Sequence, residues 1–234
     1  MKFCCTSVVG PANRDQGMSK QDAAMVRRIS SGILIAVCDG LGSRPKSDFG
    51  AQQACRAVRD VFDGTSPIPV GYTLCESIQT AWLHRVRFET AEATATTCLF
   101  AHVNAAGNAT VVQLGDGLIL CRSRGKFINV TPERRGFSNQ TLALSDDFDP
   151  REWVIHNCEL VAPGDGIVMM TDGISEDIDH ERLEAFFEEI RIQALNKNNK
   201  AMRRWLTQQL HDWPTPGHSD DKSIAAFFRG CDND

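Results

Sequence analysis

The sequence lacks any Cys-x-x-Cys pair, although it holds nine cysteines in 234 residues. The close ligand spacing of a structural zinc site is therefore missing, and only Cys4 and Cys5 are neighbours. Cys38 and Cys98 fall inside apolar runs, where a free thiol behaves as a small hydrophobe. A reducing compartment accounts for such scattered thiols most simply. No run of lysine and arginine occurs, and the formal charge is −5. Without a basic stripe to displace phosphate counterions, nucleic acid is not an expected partner. No apolar stretch approaches the ~20 residues that span a bilayer, and the opening MKFCCTSVVG lacks the apolar segment of a signal peptide. The expectation is a cytoplasmic protein with no membrane partner. Neither proline (9) nor glycine (18) is abundant enough for a fibrous or disordered chain. With no repeat and no long linker, the chain is expected to form one globular domain over residues 1–234 and to act as a monomer.

What is present is a series of apolar runs with two different periods. Residues 33–38 (ILIAVC) read as a strand buried on both faces. Further strands are expected at 23–26, 96–103, 110–114, 118–122, 167–170 and 223–228. A turn at 104–107 joins two of them, and Gly115-Asp116-Gly117 reads as a hairpin-type break. Helical spacing marks 49–62, with Asp48 as its N-cap, and then 74–86, 180–190 and 200–210. Trp82 and Trp205 lie on apolar helix faces and read as core. Residues 131–149 and 212–221 read as loops, the second broken by Pro214 and Pro216.

Three apolar strands run directly into Asp-Gly: AVCDG at Asp39, QLGDG at Asp116 and MMTDG at Asp172. The pair Asp220-Asp221 precedes the last strand, and Asp22 precedes an early one. Asp-Gly is a common hairpin signal, and each of these taken alone reads equally well as a turn. Taken together they point elsewhere. A carboxylate at the end of a buried strand is costly, and several converging would repel one another unless a cation sat among them. Carboxylate, carbonyl and water ligands suit Mg²⁺ or Mn²⁺. A glycine after each aspartate lets the backbone turn sharply and approach the ion. Two such ions sharing a carboxylate can generate a bridging hydroxide and clamp a phosphoryl group for in-line attack.

In order along the chain, these pieces resemble the protein phosphatase 2C family of metal-dependent protein phosphatases, in its short bacterial form. Gln21-Asp22-Ala23 is similar to the early acidic motif, residues 36–43 (AVCDGLGS) to the aspartate-glycine loop, and Ala95-Thr96-Thr97 to the threonine-rich strand start. Gly115-Asp116-Gly117, residues 169–178 (MMTDGISEDI) and Asp220-Asp221-Lys222-Ser223 follow in the family's order. The resemblance implies an α+β fold, a four-layer α-β-β-α sandwich with two central antiparallel sheets. It implies two divalent cations, Mn²⁺ or Mg²⁺: Asp39 bridges both, the Gly40 carbonyl joins one, and Asp172 and Asp220 complete the other. Asp22 would act through metal-bound water and Asp116 from behind the ligands, with Asp39, Asp172 and Asp22 carrying the catalysis. The implied reaction is hydrolysis of phosphoserine or phosphothreonine by a metal-bridging water or hydroxide. Implied partners are a phosphorylated protein and a cognate serine/threonine kinase or its target.

The sequence departs from the family pattern in three places. The arginine that precedes the early Asp in many members is missing, and Arg14 is the candidate to hold the substrate phosphate, against an ordinary exposed arginine. Leu41 stands where animal members have a histidine, so leaving-group protonation has no assigned residue; His218 lies nearby but reads as a surface residue. The stretch between Asp172 and Asp220 is short, and Asp177 reads as a helix cap as readily as a metal contact. Arg134-Arg135 reads as a solvated loop pair. Two alternatives stay open: a pseudophosphatase that binds a phosphoprotein or kinase, and a small-molecule phosphatase.

Overall fold

The run 33–38 is buried at every position, and alternation along it sends its side chains to two different layers. The computed structural model describes residues 1–64, 67–132, 141–213 and 219–230. One antiparallel sheet runs in the order β2 (Ala23–Ile29), β3 (Gly32–Cys38), β4 (Cys98–Asn104), β5 (Asn108–Leu114) and β8 (Trp153–Glu159). The other, also antiparallel, runs β1 (Lys2–Val8), β10 (Lys222–Phe228), β9 (Gly166–Met170), β6 (Leu118–Ser123) and β7 (Lys126–Asn129).

Ile33, Ile35 and Val37 of β3 meet Ile119, Met169 and Phe227 of the second sheet in a layer between the sheets. On its other face, β3 turns Leu34, Ala36 and Cys38 toward Ala54, Val58, Ile78 and Trp82 of helices α2 (Ser47–Gly64) and α3 (Tyr72–Val86). The second sheet packs Leu120, Val168 and Phe228 against Phe187 and Leu206 of α5 (Leu183–Asn196) and α6 (Asn199–His211). Those three apolar layers make the four-layer α-β-β-α sandwich expected from the resemblance. Two short helices, α1 (Pro11–Asp15) and α4 (Asp172–Ser175), lie beside the strand ends that carry the aspartates.

Several details differ from the sequence reading. Gly115-Asp116-Gly117 is not a hairpin: β5 and β6 belong to different sheets, and the tripeptide carries the chain across. Its two glycines take φ of 91° and 102°, a region other residues avoid. Asp48 lies inside the first turn of α2 rather than at its cap, where its carboxylate accepts from the Ser19 hydroxyl at 2.8 Å. Helix α5 begins at Leu183, after a 3₁₀ turn at His180–Arg182, and runs on to Asn196. Strands β1, β7 and β8 were not expected; each lies at a sheet edge, where incomplete burial and interleaved polar residues replace the all-apolar run. Trp82 is fully buried and its indole N–H donates to the Gly50 carbonyl, as a core residue should, whereas Trp205 is only partly buried. Pro214, Pro216, His218 and Arg134-Arg135 lie outside the described residues.

Candidate active site

Asp39 follows the last residue of β3, and its backbone is fixed from two sides. Its N–H donates to the Thr97 hydroxyl at 2.9 Å, and its carbonyl accepts from the Thr96 hydroxyl at 2.7 Å and the Thr97 amide at 2.8 Å. The threonine pair is thus a clamp on the Asp39 main chain, which leaves the carboxylate free to point away from it. Asp22 precedes β2 and is buried, with Oδ2 accepting from the Thr171 hydroxyl at 2.8 Å. Asp172 opens α4 directly after β9. Asp221 does not face the cavity; its carboxylate accepts the Gly10 amide at 2.6 Å and the Gln21 amide at 2.5 Å, tying the start of α1 and the entry to β2 onto the turn that carries Asp220.

A cavity of about 360 Å³ opens over this region, lined by Asp39, Gly40, Leu41, Arg44, Asp116, Asp172 and Asp220. Asp220 is exposed there, and Asp116 is partly buried with Oδ2 accepting from the Thr141 hydroxyl at 2.8 Å. Asp22 lies behind the lining. The glycines that follow the aspartates serve close packing of backbone on backbone: a Cβ on Gly40 would lie 2.6 Å from the Ser47 carbonyl, and one on Gly173 would lie 1.9 Å from the Asp221 carbonyl.

The electrostatics are those of a site with too much negative charge. Burial pushes the Asp22 carboxyl up to about 7, with the Asp221 charge adding to it and the Thr171 hydroxyl working against it. Asp39 is pushed well above the carboxylate range, first by burial and then by the charges of Asp22 and Asp172. Asp172 Oδ1 is out of water with no hydrogen-bond partner. Such an orphan acceptor beside two more carboxylates is the situation a divalent cation relieves. The donor set is all oxygen, as Mg²⁺ and Mn²⁺ prefer, so the residues fit such ions. The carboxylates rest against one another: among the described residues no group of three or more His, Cys, Asp or Glu is spaced to hold an ion as it stands.

Arg14 is not among the residues that line this cavity. It is exposed, and its guanidinium donates to the Val9 carbonyl at 3.1 Å. Arg44 lines it instead, with Nη1 on Glu92 at 2.6 Å and Nε buried without a partner. Sequence reading passed over Arg44 because its only signal is its place on the loop after Asp39-Gly40. Asp177 neither caps a helix nor lines the cavity; it accepts the Trp213 indole N–H at 2.7 Å.

The sequence model of the family described as protein phosphatase 2C matches residues 9–212. The chain is a member of the protein phosphatase 2C family. Among curated proteins no relative matches it. Solved structures share its fold at low identity. The catalytic domain of the serine/threonine phosphatase PstP in complex with two manganese ions is 15% identical, with a TM-score of 0.68 and 96% of each chain covered. The Mycobacterium tuberculosis phosphatase PstP/Ppp is 16% identical, with a TM-score of 0.67 and coverage of 97% and 98%. A bacterial serine phosphatase reaches a TM-score of 0.70 at 15% identity over 99% of both chains. At these identities the likeness shows that this phosphatase 2C chain has the family's fold. Among its described residues no helix is long and apolar enough to cross a membrane.

Proposed function

We propose that the chain is a metal-dependent protein serine/threonine phosphatase acting on phosphoserine and phosphothreonine. The observation that carries this reading is the crowding of the Asp39 carboxylate against those of Asp22 and Asp172. Asp39, Asp172 and Asp220, with the Gly40 carbonyl and Asp22 behind, would hold two divalent cations, Mn²⁺ or Mg²⁺, which when bound polarise a phosphoryl group and acidify water. The chain's own contribution is placement. Thr96 and Thr97 fix the Asp39 backbone, Thr171 orients the Asp22 carboxylate, and Asp116 borders the cavity from the inter-sheet crossing. Arg44 is the cationic side chain among the described residues of the lining, and a guanidinium there suits a phosphate group. The natural partner is a phosphorylated protein, a kinase or its target, met by the chain as a monomer in the cytoplasm.

Phosphate release from a phosphothreonine peptide is expected with Mn²⁺ or Mg²⁺, at least ~10³-fold above the rate in EDTA. Arg44→Ala is expected to raise KM by about 10–100-fold, the worth of a charge-assisted contact, while Arg14→Ala changes little. An unchanged KM in Arg44→Ala would remove Arg44 from the substrate site. One observation favours a second reading, a phosphoprotein-binding module without turnover: Leu41 lines the cavity and has no proton to give a leaving alkoxide. Folded protein that binds the phosphopeptide but releases no phosphate with either metal would decide for it. Faster turnover of phosphorylated metabolites than of phosphopeptides would make it a small-molecule phosphatase.

A further inference from the structure

Strands β6 and β8 belong to different sheets, yet their ends lie side by side. The Ser123 hydroxyl donates to the Glu159 carbonyl at 2.8 Å and accepts from the Glu159 amide at 3.2 Å. Close to that clasp, Cys121 Sγ stands 3.6 Å from Cys158 Sγ. The two thiols differ in access: Cys121 is fully buried in the layer between the sheets, and Cys158 is partly exposed. They differ in acidity as well. The thiol hydrogen bond from Cys121 draws Cys158 below the ordinary thiol value, against burial and the Asp165 charge, while the same pairing and burial push Cys121 up.

We infer that Cys121 and Cys158 are an oxidation site for a peroxide, with Cys158 as the attacking thiol, Cys121 as the resolving one, and a disulfide between the two sheets as the product. The Cys158 thiolate attacks one peroxide oxygen, the O–O bond breaks, and hydroxide leaves a sulfenic acid on Cys158. The Cys121 sulfur then attacks the Cys158 sulfur, the S–O bond breaks, and the hydroxyl leaves as water with the Cys121 proton. Two electrons pass from the two thiols to the peroxide, and with the Cys158 proton counted the products are the disulfide and two waters. The sulfurs close from 3.6 Å to the ~2.05 Å of a disulfide, a change that side-chain rotation covers when the strands are already held together.

The pair is distinct from the other close thiols of the protein. Cys38 and Cys55 are 3.7 Å apart, but both are buried between β3 and α2, so neither is open to a first oxidation. The test is peptide mapping without reductant after a few equivalents of hydrogen peroxide on folded protein. A linked species joining the Cys121 and Cys158 peptides, two hydrogens lighter than their sum, is expected, with a melting temperature raised by about 5–15 °C. In Cys121→Ser, dimedone is expected to trap a sulfenic acid on Cys158; in Cys158→Ser no link forms. Wild-type Cys158 that stays a thiol, or that goes on to sulfinic acid with Cys121 still reduced, overturns the inference. So does a link between Cys38 and Cys55 in its place.

Discussion

Asp39→Asn is expected to lower phosphate release by at least ~10³-fold and, in metal-free protein, to raise the melting temperature. The two effects have one cause. Asp39 is crowded by burial and by the Asp22 and Asp172 charges, and an amide of the same shape removes one of the mutually repelling charges. The same substitution removes the carboxylate assigned to bridge two cations. The sign of the pH dependence follows from the raised carboxyls. Because the folded state holds its protons more tightly than the unfolded chain, metal-free stability is greatest below the ordinary carboxylate pKa and falls as pH rises. For Asp22 that fall runs from near 3.8 to about 7, at most about 4 kcal/mol. Asp39 is raised in the same direction, so the stabilising effect of Asp39→Asn should grow as pH rises above the ordinary carboxylate range. Mn²⁺ should raise the wild-type melting temperature by mass action and leave that of Asp39→Asn nearly unchanged. Turnover within tenfold of wild type, or a variant that melts well below wild type without metal, would sink the assignment.

The parts of this design that were legible in the sequence are those where burial is complete. Strand β3 has no exposed face, so its identity shows in six consecutive apolar residues, and Asp39 stands out because it ends that run. The edge strands β1, β7 and β8 touch the layers on both faces but are only partly buried, and sequences such as WVIHNCE interleave polar residues and carry no long apolar run to recognise. The crossing at Gly115-Asp116-Gly117 was misread because a positive-φ Asp-Gly turn is the same local signal whether the chain doubles back or moves to a second sheet. Arg14 was chosen for its position before Asp22, but reach is decided by the turn it lies on, and its guanidinium folds onto Val9. Arg44 reaches the cavity from the loop that follows Asp39-Gly40, a relation that only three dimensions supply.

Asp165 tests the same reasoning from the opposite side, since Asp165-Gly166 is a further Asp-Gly beside an apolar strand. It is fully buried, yet its carboxylate is satisfied by backbone alone: the amides of Arg124, Gly125, Val161 and Ala162 donate to it at 2.8–3.0 Å. Those amides belong to the β6–β7 turn, where Arg124 takes a φ of 51°, and to the loop leading into β9. Its main-chain carbonyl also accepts from the Arg229 amide at the end of β10, at 2.8 Å. The carboxylate thus ties two segments together and the main chain of the same residue adds a third, and it does not line the aspartate cavity. Asp165→Ala would leave four amides without their acceptor and release a left-handed arginine turn, so a loss of about 4 kcal/mol is expected, with a melting temperature lower by roughly 10 °C. Asp165→Asn keeps one carbonyl oxygen but turns a donor toward other donors, and should lose about 2 kcal/mol. Urea unfolding measures both. Phosphate release per folded molecule and the Mn²⁺-dependent rise in melting temperature should survive in each variant. A loss below 1 kcal/mol in Asp165→Ala would contradict the structural role. Loss of the Mn²⁺ response would show that backbone satisfaction fails to separate a structural carboxylate from a metal-binding one, and would weaken the case for Asp39 and Asp172 with it.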